Sequence, residues 1–229
     1  MTTQFLRPTL FFFLLLPAAV LLGCRDEPRA VTENKVASYS TSAPSSAPSV
    51  PLKVGDRLPD LTLKNTQNQD VSIATLYARQ PIVLTVYRGG WCPYCITSLK
   101  QWQDKLQQVT TLGAAVVAVS PESPEHVAET VGKGNLAYTV LSDSTGDAGR
   151  ALGLAFTLDE KTQTKYKGYG IDLSKYNADG MWELPHPATY LVDTRGVIRY
   201  LYINEDYKQR ADPDEIIAVL SKIGAAPGK

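Results

Sequence analysis

From residue 52 onward, short apolar runs separated by turn residues alternate between strand-like and helix-like periods. This is the pattern of an α/β domain. Residues 82–87 are almost continuously apolar and β-branched, which predicts a central strand buried on both faces. Ile96, Leu99, Trp102, Leu106 and Val109 then recur at helical spacing and predict one buried stripe on a helix over 93–109, with Trp102 in the core. Residues 114–119 read as a second buried strand. Ser123 before Pro124 opens a helix reaching about Gly132, because Ser suits the N-cap and Pro the first helical position. A short strand is expected over 138–141, and a short helix over 143–152 closed by Gly153. Residues 188–192 and 197–203 form a strand pair around the turn 193–196. Asp212-Pro213-Asp214-Glu215 then caps a last helix ending near Gly224.

Two segments decorate this core. Residues 61–63 and 71–73 flank the polar stretch 65–70 and read as an N-terminal hairpin. Residues 156–183 carry Gly168, Gly170, Asn177 and Gly180 among several aromatics and read as an insertion with a helical piece near 160–166. Tyr166, Tyr169 and Tyr176 either cover neighbouring chemistry or pack the insertion itself.

The chain ahead of residue 52 has another character. Arg7 precedes an apolar run over 10–22, which reads as an export signal over 1–23. That run falls short of the roughly 20 residues of a membrane span. Leu21-Leu22-Gly23-Cys24 resembles a bacterial lipobox, in which Cys24 is lipidated and becomes the mature N-terminus. Residues 24–51, with Thr41-Ser42-Ala43-Pro44-Ser45-Ser46-Ala47-Pro48, have the composition of a disordered linker. Such a tether spans roughly 30 Å. The domain over 52–226 is therefore expected in the cell envelope, facing the periplasm and lipid-anchored. Arg25 after the cysteine slightly favours the outer membrane.

Composition narrows the function classes. The 229 residues hold 23 Lys plus Arg against 23 Asp plus Glu, so no basic excess points to a nucleic-acid partner. Three cysteines exclude a disulfide-dense scaffold, and with two histidines they offer no expected metal site. Cys24 is accounted for by lipidation, which leaves Cys92 and Cys95. Set three apart where a strand turns into a helix, they form a redox-active disulfide pair and need no separate cofactor. Cys92 is the expected attacking thiol, because helix N-terminal N–H groups and the macrodipole favour a thiolate there. Pro93 suits the first helical position and Trp91 flanks the pair. Cys95, one turn on, is placed to close the disulfide. Arg88 either adds positive potential to the Cys92 thiolate or points to solvent.

The order of elements, with 86–95, 117–123, Leu141-Ser142-Asp143, Gly153 and 187–193, resembles the thioredoxin fold. Within it the chain resembles the peroxiredoxin-like (alkyl hydroperoxide reductase/thiol-specific antioxidant, or redoxin) branch. The resemblance implies a thiol oxidoreductase that reduces peroxides or protein disulfides and is re-reduced by a thioredoxin-like donor. It also implies that Pro187 is the cis-proline facing the redox pair, with His186 near Cys92 as thiolate partner, proton shuttle or plain loop residue. The branch's Pro and Thr or Ser ahead of the attacking cysteine are here Thr85 and Gly89. Its active-site Arg is replaced by His186-Pro187, and the buried acid of thioredoxin's central strand is missing. Arg210 resembles a family position or pairs with Asp206 or Asp214, and His126 is expected in solvent. A second reading is a thioredoxin-fold copper metallochaperone with Cys92, Cys95 and His186 as soft ligands.

Overall fold

A computed structural model of the chain describes residues 51–224 and, ahead of them, the strand pairing of 35–36. The export signal, Cys24 and the rest of the linker as far as residue 50 lie outside the described residues. No helix among the described residues is long and apolar enough to cross a membrane.

In chain order the elements are β1 (Lys35–Val36), β2 (Thr62–Lys64), β3 (Asp70–Ser72), α1 (Ile73–Tyr77), β4 (Ile82–Val86), α2 (Pro93–Thr111) and β5 (Ala115–Ser120). They continue as α3 (Pro124–Gly134), β6 (Thr139–Ser142), α4 (Asp147–Ala151), β7 (Ala155–Thr157), α5 (Glu160–Gly168) and α6 (Leu173–Tyr176). The chain then forms β8 (Glu183–Pro185), β9 (Ala188–Val192), β10 (Ile198–Ile203) and α7 (Pro213–Gly224). Eight strands form one sheet in the order β1-β10-β9-β4-β5-β6-β2-β3. Strands β4, β5 and β6 run parallel, while β9 pairs antiparallel with β4 and β10 with β9.

The nearly continuous apolar run of β4 has its cause in this arrangement. Ile82, Leu84 and Val86 pack into a core with Ile73, Tyr77, Leu152 and Tyr190. Val83 packs into another core with Trp102, Val109, Ile216 and Leu220 of α2 and α7. Successive side chains of a strand point to opposite faces, so a strand covered on both sides has no position for water. The stripe on α2 is seated accordingly, with Leu99, Trp102 and Val109 buried. The first turn of α2 therefore stands at the C-terminal end of β4, and the Cys92–Cys95 motif stands with it.

Four details differ from the sequence expectations. Lys35–Val36, inside the segment read as linker, pairs with Tyr202 and Ile203 of β10, because an edge strand leaves backbone groups open to any extended neighbour. The helix expected from residue 143 begins at Asp147. Asp143 instead uses its carboxylate to accept from the N–H groups of Ala148 and Gly149 at 3.1 and 2.9 Å. The insertion is closed at its base by the antiparallel pair β7–β8, whose three-residue runs are too short to register as a period. The peptide bond before Pro187 is trans. The chain enters it from β8, with the His186 N–H already donating to Leu154 O at 2.8 Å, and an extended residue before proline is the ordinary trans geometry.

Gly90 shows how tightly the motif is seated. A Cβ there would lie 2.0 Å from Oγ1 of Thr130, a residue of α3 that is itself buried. Gly90→Ala is expected to cost about 1–3 kcal/mol through overpacking. Urea unfolding checks this, and an unchanged midpoint would contradict the packing described.

Candidate active site

Cys92 is the N-cap of α2, with extended backbone (φ −92, ψ 114), and Pro93 follows at the first helical position. The Cys95 N–H donates to Cys92 O at 3.0 Å. Both thiols are free, and both are buried, at 2% and 0% exposed. They lie in an apolar cluster with Tyr87, Leu99, Ala118 and Val127.

The two sulfurs titrate apart. The Cys92 thiol is held down to about 6, first by the hydrogen bond from the Cys95 thiol, against the opposing push of burial. The Cys95 backbone N–H and the charges of Arg88 and Arg210 lower it further. Cys95 is pushed well up by burial and by donating to Cys92. At pH 7 the pair is thus mainly one thiolate beside one thiol.

Arg88 points inward, at 3% exposed. Its Nη2 donates to the Tyr166 hydroxyl, and its Cζ lies 4.1 Å from the Tyr207 ring centroid and 5.3 Å from that of Trp91. Cation–π contact with these rings favours a guanidinium over an ammonium here. Its Nε has no hydrogen-bond partner among the described residues. Arg210 does not pair with Asp206 or Asp214. Its Nη2 lies 3.4 Å from Cys95 Sγ, while Nη1 donates to Gln209 O at 2.8 Å and to Tyr207 O. Two guanidiniums therefore flank the pair.

Trp91 stands edge-on to Tyr166, 5.9 Å between centroids. A Cβ on residue 89 would lie 2.2 Å from Trp91 Nε1, and Gly89 has a φ of +155. The residue at 89 is therefore glycine because the indole fills its side-chain space. Thr85 is turned into the sheet, with its hydroxyl 3.3 Å from that of Thr189 across β4 and β9.

A buried acid is present after all, on another element. Glu122, 1% exposed, lies in the loop between β5 and α3. Its Oε2 accepts from the Gly90 N–H at 2.9 Å and from Ser120 Oγ at 3.3 Å. Burial pushes its carboxyl up to about 7, opposed by the Gly90 N–H, while Cys95 raises it further. The insertion braces this loop: Ser123 N–H donates to Tyr176 O at 2.9 Å and Ala178 N–H to Pro121 O at 3.1 Å. Nothing in local periodicity marks Glu122, since an acid just ahead of a helix is ordinary. The sign that could have found it is the stretch Ser120-Pro121-Glu122-Ser123 running straight out of a buried strand.

Its raised pKa makes a stability statement. Between pH 4.5 and 7 the unfolded carboxyl loses its proton while the folded one keeps it. Stability should therefore fall across that window as pH rises, by up to about 3 kcal/mol. Glu122→Gln is expected to flatten that slope in unfolding curves taken between pH 4.5 and 7.5. A slope identical to that of the wild type would contradict the burial argument.

His186 is half-buried and stacked on Phe156, with ring centroids 4.4 Å apart. Burial holds its pKa below the usual value, against Glu205, and Arg88 lowers it further. That shift favours the neutral ring over the imidazolium. Among the described residues no group of three or more His, Cys, Asp or Glu is arranged to hold a metal ion, so Cys92, Cys95 and His186 are not assembled as a ligand set. His126 is not simply solvated, since its ring lies 4.8 Å from that of Tyr176 and Nε2 is 3.1 Å from Lys175 O. Pro187 and His186 line a cavity of about 370 Å³ together with Arg88, Phe156, Leu158 and Tyr166.

The sequence profile of the AhpC/TSA family matches residues 54–201. The chain is 27% identical over 186 residues to the chloroplastic peroxiredoxin Q of Sedum lineare, covering 80% of this chain and 87% of that protein. A peroxiredoxin-type protein of Haemophilus influenzae, bcp, is 29% identical over 104 residues, 45% of this chain and 66% of that one. Among solved structures, the peroxidoxin BcpB of Mycobacterium tuberculosis superposes with a TM-score of 0.61 at 20% identity, covering 75% of this chain and 98% of that one. At that identity the likeness speaks for the fold.

Proposed function

The chain belongs to the AhpC/TSA family and is a thiol-dependent oxidoreductase with a peroxiredoxin-type thioredoxin fold, and from that premise we propose that Cys92 reduces a hydroperoxide and Cys95 resolves the product. In the first step the Cys92 thiolate attacks one peroxide oxygen, the O–O bond breaks, and the alcohol or water leaves with a proton. Cys92 is then a sulfenic acid. In the second step the Cys95 sulfur attacks Cys92, hydroxide leaves and takes a proton as water, and a disulfide remains. A thioredoxin-like dithiol donor returns two electrons and two protons to the pair.

The observation that carries this reading is that Cys92 is only 2% exposed and sits where the Cys95 thiol and two arginines hold its pKa down to about 6. A two-oxygen substrate needs little space to reach such a sulfur, whereas a disulfide on a folded protein needs an open approach. The trans bond at Pro187 supports the same choice. The His186 N–H is on Leu154 O and Pro187 O accepts from Asn204 N at 3.4 Å. Neither of these two groups is open to strand-like pairing with an incoming peptide. Disulfide reduction is thus the second reading.

With Thr85 tied to Thr189 and Gly89 filled by Trp91, the electrostatic duty falls to Arg88 and Arg210, which oppose the negative charge at the attacking sulfur. Glu122 is the group whose pKa, about 7, suits it to take the proton that Cys95 must lose in the second step.

Stopped-flow mixing of the reduced full chain with hydrogen peroxide, and separately with a small organic disulfide, tests the choice. The expected result is oxidation by peroxide at least about a hundredfold faster than for a free thiol at the same pH. Peroxide reacting no faster than with a free thiol, while the disulfide reacts quickly, would give the function to disulfide exchange.

A further inference from the structure

A guanidinium that is 3% exposed, with no carboxylate of the described residues paired to it, is costly unless another anion lies near. In the reduced protein that anion is the Cys92 thiolate. Oxidation removes it. When the Cys92–Cys95 disulfide forms, the sulfurs give up two electrons and carry no charge, while Arg88 remains a cation. Arg210, whose charge also holds the Cys92 thiol down, loses the same anion. Beside Arg88 lies the cavity of about 370 Å³, large enough for a small organic molecule and walled by Phe156, Leu158, Pro185 and Pro187. The buried Nε of Arg88 has no hydrogen-bond partner among the described residues.

We propose that, in the disulfide form, this cavity binds a small organic monocarboxylate. The carboxylate replaces the lost thiolate as counter-ion to the planar fork of Arg88, which carboxylates match in shape. The hydrocarbon part lies on the apolar wall. The rim explains why a single charge suits. Asp159 and Glu205 also line the cavity, and although Asp159 is engaged by the Thr162 N–H at 2.7 Å, their charges oppose a second negative charge on the ligand.

The inference rests on Cys92 and Cys95 forming the redox disulfide. Because the ligand prefers the oxidised form, linkage requires it to stabilise the disulfide. The full chain is equilibrated at pH 7 with a dithiothreitol redox buffer, at constant ionic strength, with hexanoate or with an equal concentration of chloride. Saturating hexanoate is expected to raise the oxidised-to-reduced ratio about tenfold, a reduction potential about 30 mV lower for two electrons. Chloride is expected to leave the ratio within about twofold, and Arg88→Met to abolish the hexanoate effect. An unchanged ratio, or an equal response to chloride, overturns the site while leaving the redox pair intact. Absence of any Cys92–Cys95 disulfide under oxidising buffer overturns both the pair and the site.

Discussion

Cys92→Ser is expected to lower peroxide turnover by at least about a thousandfold while leaving the fold intact. Serine differs from cysteine by one atom, and residue 92 lies at a helix N-cap, where serine is a favoured residue. The hydroxyl cannot ionise near neutral pH, so the attacking anion is lost altogether. The same substitution removes the partner that keeps the Cys95 thiol protonated, since donating to Cys92 is one of the causes that raise Cys95. Cys95 in this variant should therefore become more acidic, although burial still opposes its ionisation. Peroxide consumption coupled to a dithiol donor measures the first effect, and alkylation rate against pH the second. Retention of a tenth or more of the wild-type turnover would remove Cys92 from the attacking role.

Arg88→Met carries the second largest effect. The wild-type dependence of oxidation rate on pH should rise through an inflection near 6, where the Cys92 thiol titrates. Removing a neighbouring opposite charge raises such a pKa by about 1 to 3, and Arg88 ranks behind the Cys95 hydrogen bonds in holding Cys92 down, so the inflection should move toward about 7. At pH 7 the thiolate population falls about twofold, and loss of charge stabilisation during attack lowers the rate further, to about 10–100-fold in kcat/KM. Methionine fills the space against Trp91, Tyr166 and Tyr207 without charge, which separates the electrostatic role from the packing role. Arg88→Lys restores the charge without the planar fork and should recover the inflection in part. A normal inflection in the methionine variant would mean that Arg88 serves packing alone.

The fold was largely readable from the sequence because its main elements carry strong local periods. The two-sided burial of β4 wrote itself into a run at 82–86 that is apolar but for Thr85, and the buried face of α2 into the spacing of Leu99, Trp102 and Val109. Cys92 and Cys95 were noticed for a different reason, as two thiols whose spacing at a helix start has chemical meaning. What surrounds the pair was much harder to see. Arg88 follows a buried strand and, as sequence, could equally face solvent. It is turned inward by Tyr166, 78 residues later in the chain. Glu122 is buried against Gly90, 32 residues earlier. These side chains are defined by contacts that the insertion and the β5–α3 loop bring in from a distance, and no window of neighbouring residues contains that information.

The same reasoning explains where the family resemblance misled. It implied a cis-proline at 187 and left a vacancy for an acid. The β7–β8 pair carries the chain into Pro187 in extended form, and Glu122 supplies the carboxyl from the adjacent loop. Insertion, buried acid and the two arginines form one arrangement around the pair, and that mutual placement was invisible in the sequence even where a member was noticed.

The central claim is that Cys92 takes the peroxide oxygen and Cys95 resolves it. The most direct measurement is mass spectrometry of Cys95→Ser after one equivalent of hydrogen peroxide, with a sulfenic-acid trapping reagent present. The account expects one trapped oxygen, located on Cys92, formed as fast as in the wild type and accompanied by no Cys92–Cys95 disulfide. An unmodified Cys92 in that experiment, with peroxide unconsumed, would contradict it.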